Sequence, residues 1–230
     1  MEEPIILFED RQVLVIRKPA GWLSQPDGTG REDVYYWGKN YIKGKLEKPG
    51  EVYLGICHRL DRLVAGILVL GKTSKASSRL AHQFLERKTK KLYLCLSEGH
   101  PQTSSGTLDY PVVRVRRKTL RANDEFGGKR AALNYKLIET GKIQGMEASL
   151  MEIELVTGFR HQIRAQLSDL GIPIVGDSLY GSTILEENSD SIGLFAKSLS
   201  FDHPITQERL TFESDPANIW PWNSFVRGTE

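Results

Sequence analysis

The chain has 230 residues, 40% of them hydrophobic, enough for one large domain or two compact lobes with a filled core. No run approaches the roughly 18 apolar residues of a membrane helix, and the opening MEEPIILFEDRQVLVI lacks the basic segment and apolar core of a signal peptide, so a cytoplasmic protein is expected. Lys and Arg total 31 against 29 Asp and Glu, which excludes overall basicity as an argument for nucleic acid.

In chain order, IILFEDRQVLVIRKPAG has two short β-type runs around a polar turn and predicts a hairpin that ends at a Pro-Ala-Gly break. A polar stretch from Asp27 to Glu51 follows, with a helix expected around EDVYYWGKNYIKGKL. VYLGI and GILVLG read as strands flanking the polar HRLDRLVA segment. SKASSRLAHQFLERK reads as a helix with Ser74 as N-cap and Leu80, Phe84 and Leu85 at helical spacing. KLYLCLSEG, RAALNYKLIET and MEASLMEIELVTG are β-type runs bounded by polar residues or glycine. RHQIRAQLSDLG predicts a helix ended by Gly171, with Pro173 just beyond; IGLFAKSLSFDHP supplies a further strand before a Trp- and Pro-containing tail. Many strands with few helices imply an α+β protein with a mixed, largely antiparallel sheet. Cys57 and Cys95 lie in apolar strand-like runs, the setting of small core filler, so neither a disulfide nor a zinc site is expected.

Charge is unevenly placed. RVRRKTLRANDEFGGKR, from Arg114 to Arg130, holds seven basic residues against two acidic ones, and RKTKK at 87–91 adds four more. Such runs suit a solvated surface, and two of them in a near-neutral chain also suit a patch that faces phosphates.

Two chemistries compete for HRLDRLVAGILVLGKT. Gly66, Gly71, Lys72 and Thr73 fit the phosphate-cradling pattern of nucleotide hydrolases. That loop must turn its backbone N–H groups inward ahead of a helix, whereas Ile67, Leu68, Val69 and Leu70 favour a buried strand, so the match reads as coincidence. The other reading is a short loop that presents Asp61 between Arg59 and Arg62, with His58 three residues before it. A plain Asp–Arg ion pair fits the same residues, and spacing alone does not decide.

These residues, in this order, resemble the RluA-type RNA pseudouridine synthases, whose catalytic loop reads H-R-L-D. ILFEDRQVLVIRKPAG resembles that family's opening segment, KLYLCLSEG its K-x-Y-L strand, and HQIRAQLSDLGIPIVGDSLYG its H-Q-I-R helix and the following G-D-x-x-Y-G. The resemblance covers nearly the whole chain and implies one catalytic domain over 1–230, two lobes around a central cleft, and no accessory N-terminal RNA-binding domain. The implied reaction isomerises a uridine within RNA: the N-glycosidic bond breaks, the uracil turns, and its C5 joins ribose C1′. Neither metal nor nucleotide nor other cofactor is implied, and neither membrane nor obligate protein partner.

Carried over by motif, Asp61 is the carboxylate at the sugar, attacking C1′ or taking a proton from C2′. Tyr93 lies against the uracil and assists loss of the C5 proton; a core tyrosine in a strand is its plain alternative. Arg164 keeps the aspartate ionised and oriented. Arg59 enters the stack that the flipped base leaves. The RNA-facing set is completed by Arg62, Arg114, Arg116, Arg117, Lys118, Arg121, Arg160 and His161. Ribosomal RNA and transfer RNA both suit, with a stem-loop as the compact choice. The chain departs from the family pattern at Val64 and Ala65, where a hydroxyl residue is frequent, at Phe159, which displaces an arginine by one place, and at Phe195, where histidine is common. The rival reading is an RNA-binding protein of this fold without turnover; a nucleotide hydrolase is a distant third.

Overall fold

The computed structural model describes residues 2–45, 47, 50–123 and 127–228. Its elements are β1 (Ile5–Glu9), β2 (Val13–Lys18), α1 (Val34–Lys45), β3 (Gly55–Ile56), β4 (Ala65–Gly71), α2 (Ser74–Leu85), β5 (Lys90–Glu98), β6 (Ser105–Val115), β7 (Lys118–Arg121), β8 (Lys129–Ile143), β9 (Met146–Leu155), α3 (Gln162–Asp169), β10 (Leu194–Asp202), β11 (Arg209–Glu213) and β12 (Val226–Arg227). It is a mixed, mostly antiparallel α+β fold, and the chain divides into two compact units. The first comprises Met1–Lys90 and Lys197–Asp215, the second Lys91–Ala196 and Pro216–Glu230.

In the first unit β2 pairs antiparallel with both β1 and β4, and β10 with β11. β2 and β4 are apolar without alternation because both their faces are covered. On one face Val13, Val15, Ile67 and Val69 pack with Leu80 of α2, Leu199 and Phe201. On the other, α1 comes close at Gly38, where an added Cβ would stand 2.6 Å from Leu54 Cδ2 and 3.9 Å from Leu14 and Leu70. The predicted strand over VYLGI shrinks to Gly55–Ile56, since Leu54 is buried under α1 rather than laid along β4. The cap of α2 also moves by one residue. Thr73, not Ser74, is in extended conformation, and its hydroxyl accepts from Ala76 N at 3.1 Å.

The phosphate-loop pattern dissolves in this packing. Ile67–Leu70 lie inside β4, fully buried. Gly71 is needed because the first turn of α2 comes within 2.7 Å of where its Cβ would be. Lys72 Nζ binds Glu9 Oε1 at 2.6 Å and the carbonyl of Asp10, and Thr73 bonds Gln12.

In the second unit β9 lies between β5 and β8, β6 pairs with β8 and β7, and β12 adds to β8, all antiparallel. Leu96, Ile143, Ala148, Val175 and Ile184 form its core with the tail residues Trp220, Trp222 and Phe225. Phe195 is a core residue here, 1% exposed and edge-on to Trp222. Arg114–Arg121 of the basic run form the tip of the β6–β7 hairpin, not anticipated as strands, turning at Arg116–Arg117 with Arg116 left-handed, while residues 124–126 of that run lie outside the described residues. Helix α3 starts at Gln162, two residues later than expected, because His161 takes a left-handed conformation (φ 56°) and cannot continue a helix. Among the described residues no helix is long and apolar enough to cross a membrane.

Candidate active site

Asp61 sits on the segment that joins β3 to β4, where Leu60 and Val64 are buried and hold the loop between them. Val64 N donates to Asp61 O at 3.0 Å, closing the turn. Residues at the end of β2 and just after it clamp this loop on both sides of the aspartate. On one side Ser24 Oγ donates to Leu60 O at 2.9 Å and accepts from Leu60 N at 3.1 Å. On the other, Arg62 O accepts from Gly21 N at 2.8 Å and from Lys18 Nζ at 3.3 Å. Gly21 is left-handed (φ 85°), a conformation that lets the chain turn its N–H back toward the loop.

Lys18 is completely buried, and its ammonium also donates to Pro19 O at 2.9 Å and Trp22 O at 2.8 Å. Burial lowers its pKa to about 7, Asp61 pulling the other way and Arg62 adding to the fall. The loop thus rests on a buried amino group held by three backbone carbonyls. His58 belongs to the scaffold: its Nε2 accepts from Val69 N at 3.1 Å, and its ring stacks on Phe84 at 4.2 Å. Arg59 is exposed and Arg62 half-buried on either side of Asp61.

The second unit carries the remaining predicted residues. Tyr93, 9% exposed, lies on β5 opposite Ile153 of β9. Arg164 is on the buried face of α3. Its Nε bonds Asp177 Oδ2 at 2.6 Å and its Nη2 bonds Asp177 Oδ1 at 2.7 Å, a two-pronged charged pair with side chains 5% and 1% exposed. The ring of Tyr180 lies 5.0 Å from the same guanidinium. Arg114, Arg116, Arg117, Lys118 and Arg121 are exposed on the β6–β7 hairpin, and Arg160 is exposed ahead of α3. Thr119 Oγ1 donates to Arg160 O at 2.6 Å, and His161 Nδ1 is 3.1 Å from the Tyr180 hydroxyl. The hairpin, Arg160, His161 and Arg164 therefore converge around Tyr180.

At Phe159, where the arginine is displaced, the backbone N–H donates to Gln162 Oε1 at 3.1 Å, and Thr157 Oγ1 donates to the same oxygen at 2.8 Å. Sequence reading did not single out four side chains that contact the candidate residues or their backbone: Lys18, Ser24, Asp177 and Tyr180. Lys18 stands in RKPAG, and Asp177 and Tyr180 stand in GDSLYG, segments that stand out as motifs without revealing what these side chains do. Among the described residues no group of three or more His, Cys, Asp or Glu is placed to hold a metal ion.

The family model described as RNA pseudouridylate synthase matches residues 12–169, which includes the Asp61 loop, Tyr93 and Arg164. The chain is 30% identical over 219 residues to the dual-specificity RNA pseudouridine synthase RluA of Salmonella typhi, covering 92% of this chain and 94% of that one. It is 33% identical over 221 residues to the ribosomal large subunit pseudouridine synthase D of Zymomonas mobilis, covering 91% and 68%. The structure titled Human RNA Pseudouridylate Synthase Domain Containing 1 shares the fold, with a TM-score of 0.77 at 24% identity over 98% of this chain and 89% of that one. With its fold, its H-R-L-D loop and these relatives in agreement, the chain belongs to the RNA pseudouridylate synthase family.

Proposed function

We propose that Asp61 is the carboxylate with which this RNA pseudouridine synthase, an isomerase, acts at the ribose of its target uridine. The observation that carries the reading is the clamp: the backbone on both flanks of Asp61 is tied down by Ser24, Gly21 and Lys18, so the position from which the carboxylate projects is set before substrate arrives. Once a uridine is flipped from its stack, the carboxylate attacks C1′ or takes the C2′ proton, and the N1–C1′ bond breaks. The uracil turns and C5 bonds to C1′, either displacing the carboxylate from C1′ or with the carboxylate returning its proton to C2′; the C5 proton then leaves with the assistance of Tyr93, while the N1 anion takes up a proton. Arg164 keeps the carboxylate charged, and Arg59 fills the space in the stack. Arg62, the basic hairpin, Arg160 and His161 grip phosphates and orient the RNA.

The substrate is read as a stem-loop of ribosomal or transfer RNA, acted on in the cytoplasm by a single catalytic domain without an obligate protein partner. Stem-loops suit a surface that reads shape and phosphate positions around one extruded base. The test is Asp61→Asn, which keeps side-chain shape and removes charge. Pseudouridine formation in stem-loop transcripts of ribosomal and transfer RNA should vanish while RNA affinity stays within about twofold. Turnover near the parent rate would remove Asp61 from the mechanism.

A further inference from the structure

The segment Asp177–Tyr180 does two jobs at once. Its carboxylate holds one edge of the Arg164 guanidinium, and its tyrosine ring lies against the same group, 5.0 Å from ring centre to the guanidinium carbon. The backbone of Tyr180 is itself pinned, since Ser168 Oγ donates to its carbonyl at 2.7 Å. Gly181 then takes a left-handed conformation (φ 95°) and turns the chain away. The other end of the ring points into the basic hairpin. Tyr180 Oη accepts from Thr119 N at 2.7 Å, and Lys118 Nζ stands 5.9 Å from the ring centre. Thr119 is the single buried residue of β7, so this bond and the one from Thr119 Oγ1 to Arg160 O anchor an otherwise exposed strand.

We propose that Tyr180 is a positioning residue with two separable parts: its hydroxyl seats the basic hairpin for RNA binding, and its ring holds the Arg164 guanidinium for the reaction. This rests on reading Arg164 as the cation that serves the catalytic carboxylate and the hairpin as an RNA contact. A guanidinium can swing about its long side chain. Two edge bonds to Asp177 set its plane, and the aromatic face restricts the remaining motion by cation–π attraction. The hydroxyl acts elsewhere: it meets His161 Nδ1 at 3.1 Å and accepts from the buried Thr119 N–H, and loss of the latter bond frees the strand to shift.

The experiment compares Tyr180→Phe, Tyr180→Leu, Thr119→Val and Arg164→Ala in the full chain. The probe is a stem-loop transcript that the parent protein modifies, labelled with tritium at uridine C5 so that isomerisation releases tritium. Binding and single-turnover rate at saturating RNA are measured separately. Y180F, which removes the acceptor of the Thr119 N–H, and T119V, which removes the separate bond from Thr119 Oγ1 to Arg160 O, should each weaken binding by about 3- to 10-fold, the size of a missing hydrogen bond, with a much smaller change in rate. Y180L should in addition slow the reaction by about 10-fold or more, as a desolvated cation–π interaction predicts, and Phe at the same position should restore most of that rate. Should Y180L fail to fold, Y180F still decides the hydroxyl half, because parent-like affinity in that variant would overturn it. A Y180L rate equal to that of Y180F, with R164A slow, would overturn the ring half alone. Parent-like rate in R164A would instead overturn the reading of Arg164 itself.

Discussion

Asp177→Asn is the sharpest test of the arrangement around Arg164, because it alters one atom and leaves volume unchanged. The pair is almost dry, with side chains 5% and 1% exposed, and both carboxylate oxygens are used, at 2.6 and 2.7 Å. The amide keeps one acceptor and places an N–H donor against a guanidinium N–H. It also withdraws the negative charge that offsets burial of the cation. Breaking a buried ion pair from one side costs about 3–5 kcal/mol, a large fraction of the roughly 5–15 kcal/mol that holds a domain folded. The assay is urea unfolding followed by fluorescence, with the midpoint expected to fall and the slope to stay constant. Arg164→Gln alone should also destabilise, whereas the double substitution pairs two neutral amides and should lose less than the sum, a coupling of about 1–3 kcal/mol. A loss under about 1 kcal/mol for Asp177→Asn, or strict additivity in the double variant, would refute the argument that this pair carries the local electrostatics.

Ser24→Ala should leave Leu60 N and O without their shared partner, costing about 1–3 kcal/mol in stability and slowing isomerisation while RNA affinity holds; an unchanged single-turnover rate would show that the clamp does not orient Asp61. Glu9 is pushed up by burial, but hydrogen bonds from Lys45, Lys72 and Tyr41 outweigh this and bring its pKa down from 4.5 to about 2. A depressed carboxylate contributes stability above its unfolded pKa and loses it as pH falls through the folded value. The stability gap between the parent and Glu9→Gln should therefore be full at about pH 5 and shrink toward about pH 2, and a gap constant over that range would be inconsistent with the assignment. Arg116→Ala or Arg117→Ala should weaken RNA binding and lower the slope of log affinity against log salt by about 0.7–0.9 for each phosphate that is no longer neutralised, and unchanged slopes would take the hairpin tip out of the RNA interface.

Patterns that depend on near neighbours were legible in the chain itself. The unbroken apolar run of β4 announces a strand covered on both faces, and that alone separates it from a phosphate loop. Gly171 beyond α3 marks a helix end in the same local way, since a left-handed residue there needs no side chain. The H-R-L-D loop with its accompanying motifs identified the family and named Asp61, Tyr93 and Arg164 as candidates. Harder to read was the β6–β7 hairpin, because β6 is exposed along one face and charged at its end, so its pattern resembles surface as much as strand. Hidden entirely was the fate of the charged groups. A lysine in RKPAG carries no mark of being wholly buried; that follows from carbonyls at Pro19, Trp22 and Arg62, the last 44 residues away, converging on one ammonium. Asp177 likewise becomes the partner of Arg164 only when the turn after α3 folds back onto the helix. Hydrophobic period and turn chemistry are written within a few residues, whereas the partner of a buried charge is supplied by segments distant in the chain, and only their packing decides which ones meet.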